Sequence, residues 1–312
     1  MKNCILHIGT EKTGSTSLQA WLYKNRIALE RGGIYLLDTL ETPNNRMLPA
    51  YYSQMLDEWS ERKGIKTARE KNEYFLGFKE NIEREVSEKL PSNCTVIISS
   101  EHFHSRVTRK SELEKIKNDL DSIFDSITVV CYFRRQPEMA LSLYSTSLKF
   151  GHTQSVSEFM SSVTPNNYYY NFKSIGDNWS SIFGIENCKF RIFRRDMLIG
   201  GDVRRDFMDA ANFDAKKLNL KFPEEKNNES LTKVQMRLFK MVNAAFPRTP
   251  DRSTIKKYTS STINWAIKKL ILMATFKSRR KVVPKEMDDI ATLFAESNAK
   301  FLAAYFKDTH HL

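Results

Sequence analysis

Between a short apolar run and a helix-like stretch lies Gly9-Thr10-Glu11-Lys12-Thr13-Gly14-Ser15-Thr16-Ser17. Small residues let the backbone come close to a ligand, and the N–H groups that open a helix form an anion site reinforced by the helix dipole. The hydroxyls of Thr13, Ser15, Thr16 and Ser17 add donors for phosphate-like oxygens, and Lys12 adds a positive charge. Gly9 and Gly14 keep the separation of the triphosphatase pattern G-x-x-x-x-G-K-[ST]. Ser15, however, stands where that pattern has its lysine, and Lys12 precedes the second glycine by two positions. A second anion site is expected where Arg134 and Arg135 end another apolar run. Strand ends of this kind face the crevice where α/β proteins bind ligands.

A third group, Glu101-His102-Phe103-His104, ends the run Thr95 to Ser100. A carboxylate or imidazole there suits removal of a proton from a hydroxyl. Glu101 is the first choice and His102, which titrates near neutrality by nature, the second. His104 comes third, and His7 reads as a core histidine. No H-x-x-x-H or H-E-x-x-H spacing occurs, so no catalytic metal is expected.

These groups need elements to place them. Cys4 to Ile8 reads as a strand, followed by a tight loop and a helix that stops at Gly32-Gly33. Residues 42–66 read as an irregular surface excursion, and a helix is predicted from about Ala68 to Leu90. Thr95–Ser100 and Ile127–Phe133 read as buried parallel strands, with a helix from Ser111 to Phe124 between them. A helix over Pro137–Lys149, one around Trp179 and Phe183, a strand at Phe190–Phe193 and a helix over Asp202–Ala211 complete the alternation. Beyond about residue 222 the chain reads as helical and basic. Strands alternating with helices predict an α/β domain with a parallel sheet. The reading is one domain over 1–312, an α/β core to 222 with an insertion at about 40–90, then a helical portion over 223–312.

Composition narrows the partners. Lys and Arg number 49 against 37 Asp and Glu, a net charge of +12 that points to polyanions. Cys4, Cys94, Cys131 and Cys188 are widely spaced and read as buried free thiols in a reducing compartment. With neither a signal-peptide pattern nor an apolar stretch long enough to span a bilayer, the expected location is the cytoplasm. A nucleic-acid-binding module has only the charge in its favour, since zinc spacing and RNA-sheet signatures are missing, so no nucleic acid is expected.

The segment Ile8 to Gln19 resembles the 5′-phosphosulfate loop of sulfotransferases that use 3′-phosphoadenosine 5′-phosphosulfate (PAPS). Val129 to Tyr144 is similar to that family's 3′-phosphate site. Asn178-Trp179, Phe183-Gly184, Phe190–Phe193, Gly201-Asp202, Asp206-Phe207 and Phe294–Asn298 with Tyr305-Phe306 look like further parts of bacterial members. The resemblance implies a three-layer P-loop-like fold, a central parallel sheet flanked by helices, with PAPS as donor and no metal. It gives Lys12 the stabilisation of the transferring oxygens and the loop through Ser17 the 5′ end. The 3′-phosphate goes to Arg134 and Ser142, with Arg135 as a second contact. Glu101 or His102 is then the base. The acceptor is expected to be a small molecule or glycan, a carbohydrate or glycolipid, with specificity in residues 40–90 and 245–285, which match nothing in the family. The alternative is a P-loop-type kinase or nucleotide-binding protein, which lacks its lysine at Ser15. The tyrosines 168–170 read as packing ahead of a sugar platform. The basic cluster Lys277-Ser278-Arg279-Arg280-Lys281, with Lys256-Lys257 and Lys268-Lys269, has three readings: a cover for the 3′-phosphate, a contact for an acidic glycan or anionic membrane, or a solvated helix surface.

Overall fold

The computed structural model describes residues 1–224, 230–247, 255–274 and 286–306, the side chains of 255–258 and 286 excepted. The chain divides into two compact units. One holds Met1–Arg134, Asn171–Glu224 and Ser297–Leu312, and the other Arg135–Tyr170 and Glu225–Glu296.

The first unit is built on five strands: β1 (Lys2–His7), β2 (Ile34–Tyr35), β3 (Cys94–Ser99), β4 (Ser126–Phe133) and β5 (Cys188–Ile192). Their order is β2-β3-β1-β4-β5, and every pairing is parallel. β1, β3 and β4 read as apolar runs because helices cover both sheet faces, leaving no water-facing side to be polar. Ile5, Ile97, Val130 and Tyr132 point to one face, against Leu18, Trp21 and Leu22 of the helix Ser15–Lys24 and Val203 and Phe207 of the helix Val203–Ala210. The alternate side chains serve the other face, where Phe133 packs on Phe172 and Phe301 with ring centroids 5.0 and 4.6 Å apart. This is the expected mixed α/β architecture with a central parallel sheet between helices. With β3 and β4 on either side of β1, the chain leaves all three strands side by side at one carboxyl edge.

Two readings of the insertion are corrected. Residues 42–66 are not an irregular excursion: Met47–Tyr52 and Glu58–Arg62 are helices, and Leu48, Ala50, Tyr52 and Trp59 are buried. Helices of one or two turns carry too few residues for a 3.6-residue period to show. The helix expected over 68–90 breaks at Gly77, whose φ of +73° is a left-handed conformation that suits glycine, into Ala68–Tyr74 and Phe78–Arg84, the latter running on as a π-helical turn over Glu85–Lys89 to the expected end. Trp59, Phe75 and Phe78 from these pieces form an aromatic cluster. The helix expected to run to Gly32 is likewise two, Ser15–Lys24 and Arg26–Arg31.

The second unit is helical. Its first helix, Gln136–Phe150, carries Pro137 in the opening turn, where the missing N–H costs nothing. Arg135 and Ser142 belong to this unit. Arg135 lies 3.9 Å from Glu138, and Ser142 is half-buried. Tyr168–Tyr170 form a 3₁₀ turn in which Tyr170 is buried and its carbonyl accepts from Gln136 Nε2 at 3.2 Å, in line with packing. Lys233–Ala245 opens with a capping box between Thr232 and Gln235. Lys268, one of the lysines grouped with the basic cluster, is buried. Its Nζ donates to the Leu148 carbonyl at 2.9 Å, satisfying the end of Gln136–Phe150 where the helix dipole favours a cation. Lys277, Arg279, Arg280 and Lys281 lie outside the described residues.

Candidate functional site

The loop after β1 continues the sheet before it turns. Ile8 N donates to Val130 O at 3.0 Å, Tyr132 N to Gly9 O at 2.6 Å, and Thr10 N to Tyr132 O at 2.8 Å. Thr10 Oγ1 also donates to Tyr132 O, at 3.0 Å, and Thr13 Oγ1 closes the loop on Thr10 O at 2.6 Å. The Thr13 hydroxyl, a candidate anion donor, therefore serves the loop's own shape here. Lys12 follows at φ 67°, a left-handed conformation that costs a side-chain-bearing residue about 1–2 kcal/mol. Such conformations persist where the surroundings fix them, commonly at ligand sites.

Both glycines mark close approaches. A Cβ on Gly9 would stand 3.1 Å from Glu101 Cα, and one on Gly14 would stand 3.2 Å from Val203 Cγ1 and 3.4 Å from Phe193. The loop is thus pressed between the end of β3 and the residues after β5. The helix Ser15–Lys24 then opens with neither a side-chain cap nor an acidic residue in its first turn. The positive dipole end of a helix that starts this way favours an anion. Thr13 and Ser15 are buried, Ser17 half-buried and Thr16 exposed. Arg134, at the end of β4, donates from Nη1 to the Lys12 carbonyl at 3.1 Å, and its guanidinium lies 5.9 Å from the Phe193 ring centroid. Lys12, the loop and Arg134 therefore come together in the first unit.

Glu101 sits beside them. Its Oε2 accepts from Gln19 Nε2 at 2.7 Å, and Asn44 Nδ2 lies 3.4 Å from each carboxylate oxygen. Asn44 is itself fixed by Ser100 Oγ, which donates to its Oδ1 at 2.9 Å. Asn45 brackets the end of β3, accepting from Ser99 N at 2.8 Å and donating its own N–H to Ser99 O at 3.1 Å. Gln19, Asn44 and Asn45 were not foreseen as site residues. Asn44 and Asn45 lie in the segment read as an excursion, and their only outward signal is an amide pair after Pro43.

The three neighbouring histidines divide by environment. His102 opens the short helix His102–Arg106, and its Nδ1 is buried without a hydrogen-bond partner. Burial lowers its pKa below 6.5, aided by the charges of Arg46 and Arg106 and opposed by Glu101 and Glu11. It is therefore a neutral base at physiological pH. His104 is buried and accepts from Glu11 N at 3.4 Å, which ties it to the loop. His7 is fully buried, pairs through Nδ1 with Ser99 Oγ at 2.8 Å and is lowered to about 3 by burial, the core histidine expected. Arg46 and Arg106 both pair with Asp57, and these ion pairs fasten the segment that carries Asn44.

Among the described residues no group of three or more His, Cys, Asp or Glu is arranged to hold a metal. All four cysteines are free, three buried and Cys188 half-buried. No protein-family model matches this chain, and no curated protein matches it. Among solved structures it is similar to a sulfotransferase from Alicyclobacillus acidocaldarius, at 14% identity and a TM-score of 0.42, over 85% of this chain and 98% of that one. It is also similar to retinol dehydratase in complex with androsterone and the inactive cofactor PAP. There the identity is 12% and the TM-score 0.30, over 99% of this chain and 82% of that one.

Proposed function

We propose that this chain is a sulfotransferase that moves a sulfuryl group from PAPS to a hydroxyl of an acceptor, a carbohydrate or glycolipid. The observation that carries the reading is the junction at the loop Gly9–Ser17. An uncapped helix start, Lys12 and Arg134 meet there, with Glu101 packed against Gly9. Those groups fit a nucleotide with an anionic 5′ end. The N–H groups from Ser15 onward, with the Ser15, Thr16 and Ser17 hydroxyls, hold that end, together with Gly14 and Thr13 of the loop. Arg134 holds the 3′-phosphate. When bound, PAPS supplies the sulfuryl group and leaves as adenosine 3′,5′-bisphosphate.

Glu101 takes the acceptor's hydroxyl proton, with the amides of Gln19 and Asn44 orienting its carboxylate. Lys12 offsets the negative charge that grows on the oxygens during transfer. In this reading residues 1–312 act as one domain in the cytoplasm, where unpaired thiols stay reduced. Residues 40–90 and 245–285 select the acceptor, and the protein needs neither metal nor nucleic acid.

The test is transfer from radiolabelled PAPS to a panel of hydroxyl acceptors by the wild type and Lys12→Ala. Alanine at the same left-handed position leaves backbone strain unchanged, so the fold is expected to survive. The expected loss is on the order of 100-fold or more in kcat. Equal turnover by both proteins would remove Lys12 from the reaction.

A further inference from the structure

The helix Ile255–Ala274 is built inside out. The side facing its own unit is polar: Ser261, Asn264 and Lys268 are all buried. Asn264 Nδ2 donates to Asn243 Oδ1 at 3.0 Å and to Phe246 O at 2.8 Å, and Lys268 reaches the Leu148 carbonyl. The opposite side carries large apolar groups into solvent. Trp265 is 57% exposed, Leu270 63% and Met273 68%, with Ile263 and Leu272 exposed as well. At 100° per residue Leu270 and Met273 fall on one strip, and Trp265 and Leu272 share its flank. Ordinary surface helices place these groups the other way round, and a contiguous apolar strip of this kind marks a binding face.

Charge decides what covers it. The helix has four lysines, Lys256, Lys257, Lys268 and Lys269, and no Asp or Glu. Lys269 stands among the apolar groups, its Nζ 5.1 Å from the Trp265 ring centroid. A second copy would set lysine against lysine, and the whole chain at +12 repels its like. A surface that offers both an apolar interior and anionic heads satisfies both features, with indole and lysine at the boundary. Among the described residues no helix is long and apolar enough to cross a membrane, so the mode is lying on the surface.

We propose that the exposed face of Ile255–Ala274, centred on Trp265, Leu270 and Met273, docks this protein onto an anionic lipid surface. This goes beyond the transferase reading and does not depend on it.

Trp265 provides its own probe, because Trp21, Trp59 and Trp179 are buried. The experiment mixes the full chain with vesicles of phosphatidylcholine alone, or with about one part in three phosphatidylglycerol, and reads flotation and tryptophan emission. The expected result is flotation with the anionic vesicles only, with a blue shift, both weakened by salt. Trp265→Phe keeps flotation and loses the blue shift. The double variant Trp265→Ser with Met273→Ser stops floating while keeping the wild-type melting temperature. Lys269→Gln weakens binding about fivefold. No flotation with either vesicle, or equal flotation with both, overturns the proposal. So does a dimer in light scattering that the double variant abolishes, which would give the face to a second copy.

Discussion

Glu101 is positioned by residues far away in the chain: Gln19 is 82 positions distant and Asn44 57. The acid itself was legible because it ends an apolar strand run beside two anion motifs. Its partners were not, because a hydrogen bond between distant amides leaves no periodicity or spacing behind. His102 next to it is the competing base, and the two make different predictions. If Glu101 takes the proton, Glu101→Gln lowers turnover about 100-fold or more while bisphosphate affinity is kept, and His102→Ala costs far less. If His102 takes it, activity needs the neutral ring, which burial preserves to a pH below 6.5. Turnover would then fall with acidity through that lower value, and His102→Ala would abolish it. Rate profiles of the wild type and both variants separate the two roles.

At the scale of elements, strand, loop and helix were legible wherever burial is two-sided. β1, β3 and β4 are buried over most of their length and carry apolar runs, so their ends and the loops that follow were readable. β2 was missed because two residues make no pattern, and the insertion was misread because its helices are one or two turns long. One polar residue inside β1 has a consequence for folding. His7 is neutral in the folded chain with a pKa of about 3, against 6.5 when free. Between those values the unfolded chain binds more protons, so the stabilisation is complete above 6.5 and is lost as pH falls towards 3. The slope is about 1.4 kcal/mol per pH unit, or about 2 kcal/mol from neutrality to about pH 5. Urea unfolding at both pH values is expected to show that loss in the wild type and a correspondingly flatter response in His7→Gln. Parallel responses would mean that the buried ring does not govern acid stability.

For the whole molecule, the charge of +12 indicated polyanions without saying where they bind. The structure separates contributions that composition merges. Lys12 and Arg134 gather at the loop, Lys268 is buried as a helix terminus partner, and Lys269 accompanies an exposed apolar face. Lys268 shows why such counting misleads, since a lysine in a basic run looks the same whether it meets water or a carbonyl. The strand-to-helix turns after β1 and β4 were legible because each follows a buried strand, whereas nothing in the rest of the chain carries a pattern that names an acceptor.

The most direct measurement is a thermal-shift titration with adenosine 3′,5′-bisphosphate, beside adenosine 5′-monophosphate and ATP with magnesium. A ligand that binds only the folded chain stabilises it by mass action, by about 2.7 kcal/mol at about 100 times its Kd. The bisphosphate is expected to raise the melting temperature strongly and the monophosphate little, with the gain reduced in Arg134→Ala. A shift with magnesium-ATP and none with the bisphosphate would contradict the account and make the loop the site of a nucleotide triphosphate instead.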